Sequence, residues 1–375
     1  MTTHSSALLP VHAYVGTYAP NGQGLYRMEQ RGEGGGLSLL GLATSERNPS
    51  WLTLSADQRR LYVAHEHELG SEGQGALSCY ARDPATGDLH CLKTMDSGGG
   101  RPVYLSLSPD EKHLFVANYG AASVAVVGLD EQGCLTQIRD VQTAAQFGST
   151  SLGPQPAAHA PPGSFAVSDH DGSHAHMAAL DPTGHHLIST DLGLDLLAVW
   201  AFDAETGRLQ SPRCSSVSPG AGPRHFVFHP QRPELCYVLN EEASTLASFH
   251  FDAQTGRLQP LGEVSSLPPG FVGTSFASGL MFGPGGKHLY CLNRLCDSIA
   301  VFEIGADGLP QWRGQEWVRG SYPRSAAFDP RGRYLYVCNQ RSDHIAIFEL
   351  REDGGLVFTG QWVAVGSPVA ICFAS

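Results

Sequence analysis

A pattern of two adjacent strands recurs along this 375-residue chain and constrains its fold more than any other feature. The first strand begins with proline in most copies and continues with alternating apolar residues, as in Pro102–Leu107, and a short polar turn follows it. The second strand ends in a small or polar residue, and its seven ends are Thr17, His65, Asn118, Asp191, Asn240, Asn293 and Asn339. Successive ends lie about 50 residues apart. The exception is the step of 73 residues from Asn118 to Asp191.

A third and a fourth strand complete each repeat. The third strand alternates apolar residues, as in Ser298–Phe302, and turns such as Asp83–Gly87 connect it to the fourth strand. Aspartate supplies local hydrogen bonds in such a turn, and glycine supplies a positive φ. Four antiparallel strands in each of seven repeats predict an all-β fold, a seven-bladed β-propeller of four-stranded antiparallel blades.

The two ends of the chain each carry half of the pattern. Residues 13–17 match only the second strand of the repeat, and residues 367–373 match only the first. Pairing of these N- and C-terminal strands would close the ring and remove an exposed sheet edge. A β-sandwich array is the alternative architecture, but its termini would not each carry half of one repeat.

The repeat also predicts how the chain is organised. We expect residues 11–375 to form a single propeller domain and residues 1–10 to be a disordered N-terminus. The extra length of the long step falls in residues 142–172, a segment rich in Ala, Gly, Ser, Pro and His. A loop this long within a compact fold is functional or disordered. We predict a loop insertion at the same face of the propeller as Arg224 and Arg294, because it leads directly to His176.

The composition limits which classes of binding partner and which cellular compartment we expect. The net charge is -12 with only 24 Lys and Arg residues, so a general nucleic-acid binder or a binder of anionic membranes is not expected. No apolar run reaches the 18–20 residues or so that span a bilayer, and the first fifteen residues do not resemble a secretory signal. The nine cysteines form no CxxC pair, which favours reduced thiols in a cytoplasmic protein. No pattern in the sequence specifies an oligomeric state.

Two positions of the repeat carry ionisable residues in place of the usual small ones. Because the inner strands of a propeller surround one axis, residues at matching positions converge there. Arginine binds carboxylate and phosphate groups, and a nearby His or Glu can serve as a general acid or base. Alternatively, the Arg and Glu residues only pair with each other around the channel. The ionisable residues at the two positions are His176, Arg224 and Arg324 at the start of inner strands, and Glu66, Glu241 and Arg294 after second strands.

Close histidine pairs raise the question of a metal site. His65 and His67, and likewise His174 and His176, would share one face of a strand, as zinc ligands can. No Cys or acidic residue stands at a supporting spacing, and the chain contains 17 His residues. The sequence therefore predicts no metal site and no cofactor. No Gly-x-Ser-x-Gly motif is present either, so the usual serine-hydrolase signature is missing.

At these residues the sequence resembles the seven-bladed propeller lactonases. This family includes bacterial 6-phosphogluconolactonases and fungal carboxy-cis,cis-muconate lactonising enzymes. The resemblance covers nearly the whole chain. Its motifs are Tyr14–Tyr18, Ala117–Gly120, His174–His176, Asp191–Asp195, Gly222–His225, Asn240–Glu241, Asn293–Arg294 and the closing strand that begins at Gly366.

The resemblance implies both the activity and the site. It assigns catalysis to His176, Arg224, Glu241 and Arg294, and we add His225, Arg324, Glu66 and Asn118 as candidate substrate-binding residues. The implied reaction is hydrolysis of a sugar lactone, 6-phospho-D-glucono-1,5-lactone of the oxidative pentose phosphate pathway. The expected partner is thus a small anionic lactone or carboxylate. A muconate-type lactonising cycloisomerase and a non-enzymatic binding scaffold are the alternatives.

Overall fold

The computed structural model describes residues 11–69, 74–147 and 172–374, and these residues form seven four-stranded antiparallel sheets. Strands are numbered along the chain, and each sheet is given from its inner strand outwards. Blade 1 contains β28 (Pro368–Ala374), β1 (Val11–Thr17), β2 (Leu25–Arg31) and β3 (Gly36–Thr44). Blade 2 contains β4 (Pro49–Leu54), β5 (Arg60–Leu69), β6 (Gln74–Arg82) and β7 (Leu89–Asp96). Blade 3 contains β8 (Pro102–Leu107), β9 (His113–Asn118), β10 (Ser123–Leu129) and β11 (Leu135–Gln142).

The remaining blades repeat this order. Blade 4 contains β12 (Ala175–Leu180), β13 (His186–Asp191), β14 (Leu196–Asp203) and β15 (Arg208–Ser216). Blade 5 contains β16 (Pro223–His229), β17 (Arg232–Asn240), β18 (Thr245–Asp252) and β19 (Arg257–Ser265). Blade 6 contains β20 (Phe276–Phe282), β21 (His288–Arg294), β22 (Ser298–Ile304) and β23 (Pro310–Trp317). Blade 7 contains β24 (Pro323–Phe328), β25 (Tyr334–Asn339), β26 (His344–Leu350) and β27 (Leu356–Ala364).

The sheets close into a ring, which confirms the predicted seven-bladed propeller. The innermost strands touch their neighbours in a cycle that runs from β4 through β8, β12, β16, β20 and β24 to β28, and back to β4. Strand β28 pairs antiparallel with β1, from His12 opposite Ala374 to Thr17 opposite Pro368. The C-terminal strand therefore completes the blade that the N-terminal strand begins.

The hydrophobic core lies between adjacent blades. Second and third strands such as β9 and β10 are buried along their whole length, so they appear in the sequence as continuous apolar runs. The outer strand β15 is exposed at most positions. The large core clusters join neighbouring blades: Tyr62 of blade 2 packs with Val116 of blade 3, and Leu292 of blade 6 packs with Val337 of blade 7.

Tyrosine hydroxyls join each of several blades to the next. Tyr290 donates a hydrogen bond to the carbonyl of Gly354 (2.7 Å), which lies in the turn between the third and fourth strands of the following blade. The Tyr14 hydroxyl likewise donates a hydrogen bond to the carbonyl of Gly87 (2.6 Å). Gly87 has φ +71°, and a Cβ there would lie 2.7 Å from the His12 ring, so the turn needs glycine. Equivalent bonds run from Tyr62 to Gly133, from Tyr237 to Gly308 and from Tyr336 to Gly35.

A bulge interrupts every inner strand at the same place. The inner strand shifts register against the second strand after its first paired residue in six blades and after its second paired residue, Ala277, in blade 6, so that at least one residue lies opposite no partner. Such bulges redirect side chains and occur next to active sites. The skipped residues are Ser50, Val103, His176, Arg224, Ser278 with Gly279, Arg324 and Val369.

Most of the predicted long loop lies outside the described residues, as do residues 1–10. The described part of 142–172 comprises Gln142 at the end of β11, a 3₁₀ turn at Ala144–Phe147 and Gly172 before β12. The face of the propeller on which the loop lies therefore stays a prediction. In the described ranges no helix has the length and apolar character needed to cross a bilayer.

Candidate functional site

A cavity of about 250 Å³ lies where the beginnings of inner strands meet the ends of second strands. Ten of the described residues line it: two repeat positions supply nine of them, and Arg101 is the tenth. The residues that follow second-strand ends are Tyr18, Glu66, Tyr119, Glu241 and Arg294, and the bulge residues are Val103, His176, Arg224 and Arg324. The structure thus brings all four residues predicted to be catalytic into one cavity, together with Glu66 and Arg324.

Glu241 lies between two buried arginines, and we call these three residues the inner cluster. Its Oε2 is 2.8 Å from Nε of Arg224 and 2.8 Å from Nη2 of Arg294. Arg294 also donates to the backbone carbonyl of Ala277 (2.9 Å), and Arg224 donates to that of Ser278. The side chains of both arginines are only 4% exposed. The ion pair with Glu241 and the hydrogen bonds to backbone carbonyls fix each of them in place.

The charges of the inner cluster follow from burial and from the neighbouring groups. Burial alone would raise the pKa of Glu241, but Arg294 and Arg224 bring it below its usual value, so Glu241 is ionised. Burial lowers the pKa of Arg224 to about 9, with Glu241 opposing this change and Arg294 and Arg324 reinforcing it. One carboxylate between two guanidinium groups leaves the cluster with a net positive charge at neutral pH.

His176 faces this positive charge as a neutral imidazole. Burial is the largest cause that holds its pKa well below 6.5, and Arg224 is the next. Its ring makes edge contacts with the rings of Tyr119 (5.7 Å between centroids) and His225 (5.3 Å). Its Nδ1 is buried and has no hydrogen-bond partner within residues 11–69, 74–147 and 172–374. His176 therefore places an unprotonated imidazole in the cavity wall.

Glu66 also lies between two arginines, and with Tyr18 these residues form what we call the outer cluster. The Tyr18 hydroxyl donates a hydrogen bond to Oε2 of Glu66. Nη2 of Arg324 lies 3.5 Å from the same oxygen and donates to the Tyr18 oxygen at 3.1 Å. Nη2 of Arg101 lies 3.3 Å from Oε1 of Glu66. Burial raises the pKa of Tyr18 well above its usual value, so its hydroxyl keeps its proton.

Two of the predicted substrate-binding residues are placed elsewhere. His225 lies in the wall of a second cavity of about 210 Å³, where its ring contacts those of Trp51 and Tyr104. Arg324 lines both cavities. Asn118 is fully buried and lines neither of them. Its amide donates to the carbonyl of Ser97 (3.1 Å), in the segment that links blades 2 and 3, so the geometry supports a structural role for Asn118.

Three polar residues of the cavity were not selected from the sequence. Tyr18 and Tyr119 follow second-strand ends, as Glu66, Glu241 and Arg294 do, but they are not charged at neutral pH. Arg101 lies one residue before the inner strand β8 and so outside the two positions that were compared. A comparison of repeat positions that included aromatic residues would have found both tyrosines.

The described residues of the cavity include four arginines and two glutamates, an excess of positive charge in a chain whose net charge is -12. An uncompensated buried charge is costly unless a ligand neutralises it. The arrangement therefore suits a small anion. Among the described residues no group of three or more His, Cys, Asp or Glu side chains is placed to hold a metal ion.

Stability should depend on pH through the buried histidines. Burial lowers the pKa of His176 and His225 well below 6.5, whereas the unfolded chain titrates near 6.5. The unfolded state then binds more protons below that pH, so stability is lost as the pH falls through 6.5. We expect the free energy of unfolding in urea to be at least about 1 kcal/mol lower at pH 5.5 than at pH 7.5.

The substitution His225→Gln should make this pH dependence shallower, because it removes one of the two groups. A free energy of unfolding that is equal at the two pH values, or higher at pH 5.5, would contradict the assignment of both histidines as neutral.

Comparison with known proteins agrees with this fold. A family model described as "Lactonase, 7-bladed beta-propeller" matches residues 12–373. The chain is 30% identical to a 6-phosphogluconolactonase of Bacillus subtilis over 78% of its own length and 77% of that protein. It is 29% identical to a 6-phosphogluconolactonase of Formosa agariphila over 84% of its length and 85% of that protein.

Solved structures show the same relationship. The periplasmic gluconolactonase of Pseudomonas aeruginosa superposes with a TM-score of 0.85 and 30% sequence identity, covering 98% of this chain and 99% of the other. The family model spans nearly the whole chain, and the cavity contains the residues that the family resemblance implied. The chain therefore belongs to the seven-bladed β-propeller lactonase family and is an enzyme of the lactone hydrolase class.

Proposed function

We propose that this protein hydrolyses 6-phospho-D-glucono-1,5-lactone to 6-phosphogluconate, the lactone-opening step of the oxidative pentose phosphate pathway. The observation that supports this substrate most directly is the excess of positive charge in the cavity, which contains four arginines and two glutamates. A phosphomonoester carries nearly two negative charges at pH 7 and would neutralise this excess. The names of the relatives described above point to the same reaction.

In the proposed mechanism His176 is the general base. It takes a proton from water as the water oxygen attacks the lactone carbonyl carbon, and the carbonyl oxygen becomes an oxyanion. The bond between this carbon and the ring oxygen then breaks. The departing oxygen takes the proton from His176, leaving a hydroxyl group at one end of the product and a carboxylic acid at the other, which releases its proton to solvent at neutral pH.

Arg224 and Arg294 stabilise the oxyanion in this proposal. Fixed positive groups that already point at developing charge need no rearrangement during the reaction. The carboxylate of Glu241 holds both arginines at 2.8 Å. Because the Glu241 carboxylate is ion-paired with both arginines, we assign it to positioning them rather than to activating water. Arg324 and Glu66 belong to the binding of the substrate, and His225 supports His176 through its ring contact.

The nine cysteines are consistent with a cytoplasmic location, which we include in the proposal. All nine are free thiols, and four of them (Cys79, Cys236, Cys291 and Cys338) are buried. Burial raises the pKa of these thiols, so they are inert in the folded protein.

The test is hydrolysis of freshly generated 6-phospho-D-glucono-1,5-lactone by the purified protein, with product formation coupled to NADP reduction by 6-phosphogluconate dehydrogenase. The spontaneous rate is subtracted using the same mixture without the enzyme. A muconate-type lactone is assayed in parallel under identical conditions. Turnover of the muconate lactone without enzymatic turnover of the sugar lactone would favour the cycloisomerase function instead.

A further inference from the structure

The inner and outer clusters both place one glutamate between two arginines, but they differ in how closely the arginines are bound to it. Glu66 and Glu241 occupy the same repeat position in blades 2 and 5, and each lies between two arginines. In the inner cluster both ion-pair distances are 2.8 Å, whereas in the outer cluster they are 3.3 and 3.5 Å. The outer carboxylate therefore holds its arginines less tightly.

Fewer of the hydrogen-bond donors of the outer arginines are bonded to other described residues. Arg294 bonds to two backbone carbonyls besides Glu241, and Arg224 bonds to one. Among the described residues, Arg101 has only its Nη2 contact with Glu66, and Arg324 has only its Nη2 contacts with Tyr18 and Glu66. Nε and Nη1 of both outer arginines make no hydrogen bond to the described part of the chain.

Aromatic rings hold these open guanidinium groups in place. The Arg324 guanidinium carbon lies 5.0 Å from the centre of the Tyr18 ring, and that of Arg101 lies 5.5 Å from the centre of the Tyr119 ring. Such cation–π contacts fix the position of a guanidinium while leaving its edges free to donate. The Arg101 side chain is 47% exposed and that of Arg324 is 18% exposed, so an incoming anion can reach both.

We propose that Arg101 and Arg324, positioned by Tyr18, Glu66 and Tyr119, bind the phosphate group of the substrate, while the inner cluster and His176 act on the lactone. This inference rests on the proposed function and adds a division of the cavity into a phosphate subsite and a lactone subsite. It makes Arg101 and Arg324 the residues that discriminate phosphorylated from unphosphorylated sugar lactones.

The chemistry of the outer cluster supports this division. Phosphate offers three acceptor oxygens, and the planar guanidinium can donate to two of them at once. Two arginines against one glutamate leave a positive charge at the subsite. Although burial opposes it, Tyr18 and Glu66 raise the pKa of Arg324 above its usual value, so it stays charged without a ligand. The phosphate needs only to occupy the Nε and Nη1 edges that the described part of the chain leaves open.

The experiment compares two substrates on matched variants. The values of kcat/KM for 6-phospho-D-glucono-1,5-lactone and for D-glucono-1,5-lactone are measured with the parent enzyme and with R101Q, R324Q and R294Q. We expect R101Q and R324Q each to lower the ratio of the two values at least tenfold, mainly through a higher KM for the phosphorylated substrate. R294Q should lower both values together. Arg31, a 66% exposed residue on β2, supplies the control R31Q, which should leave the ratio as in the parent.

The outcomes separate the subsite from the proposed function. If R101Q and R324Q lower both values by the same factor, the phosphate subsite is wrong while the hydrolase function stands. If the parent hydrolyses neither lactone, the proposed function fails. The subsite is then judged by calorimetric titration with inorganic phosphate, which R101Q should bind at least tenfold more weakly than the parent. Equal phosphate affinity of R101Q and the parent would overturn the subsite. Because Arg101 is half exposed, R101Q should fold even if R324Q does not.

Discussion

Deletion of residues 367–375 is expected to lower the free energy of unfolding by at least about 5 kcal/mol, a large part of the 5–15 kcal/mol typical of a folded protein. The deletion removes β28, the inner strand of blade 1, and with it the antiparallel pairing with β1. Urea unfolding followed by tryptophan fluorescence measures the effect. The physical reason is the position of β28 between two blades.

Strand β28 contributes to the core on both of its sides. Ile371 packs with Val15 and with Tyr336 of blade 7, whereas Ala370 and Ala374 pack with Leu61 of blade 2. Its removal opens both of these core clusters and leaves the inner edge of β1 unpaired. Each large apolar side chain removed from such a core costs roughly 1.5–3 kcal/mol in transfer free energy alone.

Addition of the missing strand provides the control. A synthetic peptide of residues 366–375 should restore stability to the truncated protein, because an extended peptide can add to an open sheet edge. A peptide of the same composition in scrambled order should not. Activity should return with the correct peptide, since the Tyr18 amide donates to the carbonyl of Ser367 (3.0 Å) next to the cavity. Unchanged stability of the truncated protein would refute closure of the ring by β28.

The fold could be predicted from the sequence because the repeat presents the same evidence seven times. One strand pattern such as Leu114–Ala117 is ambiguous, but seven at nearly constant spacing specify a blade and its number of copies. Ring closure was predictable for a related reason. Ala13–Thr17 matches only the second strand of the repeat and Ser367–Phe373 matches only the first, so the two segments together make one complete pair.

The candidate site was predictable in part from the same repeat. Equivalent positions in a ring lie close to one axis, so unusual residues at two positions identified six of the ten cavity residues. The pairing of Glu241 with Arg224 and Arg294, rather than with Arg324, depends on distances across blades that a linear sequence does not contain. Neither does the sequence show the bulges that turn His176 and Arg324 toward the cavity.

Asn118 shows where reasoning from motifs fails. It belongs to a sequence motif and lies at a second-strand end, one residue before Tyr119, which does line the cavity. Asn293 and Asn339 occupy the same position, and each donates a hydrogen bond to the segment that links its blade to the preceding one. The recurring asparagine is thus explained by the blade itself, whereas the residue after it differs between blades and lines the cavity as Tyr119 in blade 3 and as Arg294 in blade 6.

The substitution His176→Ala is expected to lower kcat for the sugar lactone at least about 100-fold with little change in KM, the range typical of a lost general base. His176 is 5% exposed, and it is the one histidine among the described residues that lines the cavity. His90→Ala on the outer strand β7 is the matched control, and it should retain the parent kcat. Steady-state rates at pH 7, corrected for spontaneous hydrolysis, measure both.

The substitution Glu241→Gln should act differently from His176→Ala. It removes the charge that holds Arg224 and Arg294, and breaking such a buried ion pair costs about 3–5 kcal/mol of stability. We expect lower stability together with changes in both KM and kcat, because the arginines lose their fixed positions. A loss confined to kcat with parental stability would instead make Glu241 the base.

The pH dependence distinguishes the two residues further. Because the pKa of His176 lies well below 6.5, its imidazole is neutral at pH 6.5 and becomes protonated only at lower pH. A protonated imidazole cannot accept a proton from water, so kcat/KM should stay constant from pH 7.5 to pH 6.5 and fall at more acidic pH. The alanine variant should lose this acidic decline along with its activity, whereas Glu241→Gln should keep it. An acidic decline that persists in His176→Ala would exclude His176 as the base, because the group that titrates would then be another residue.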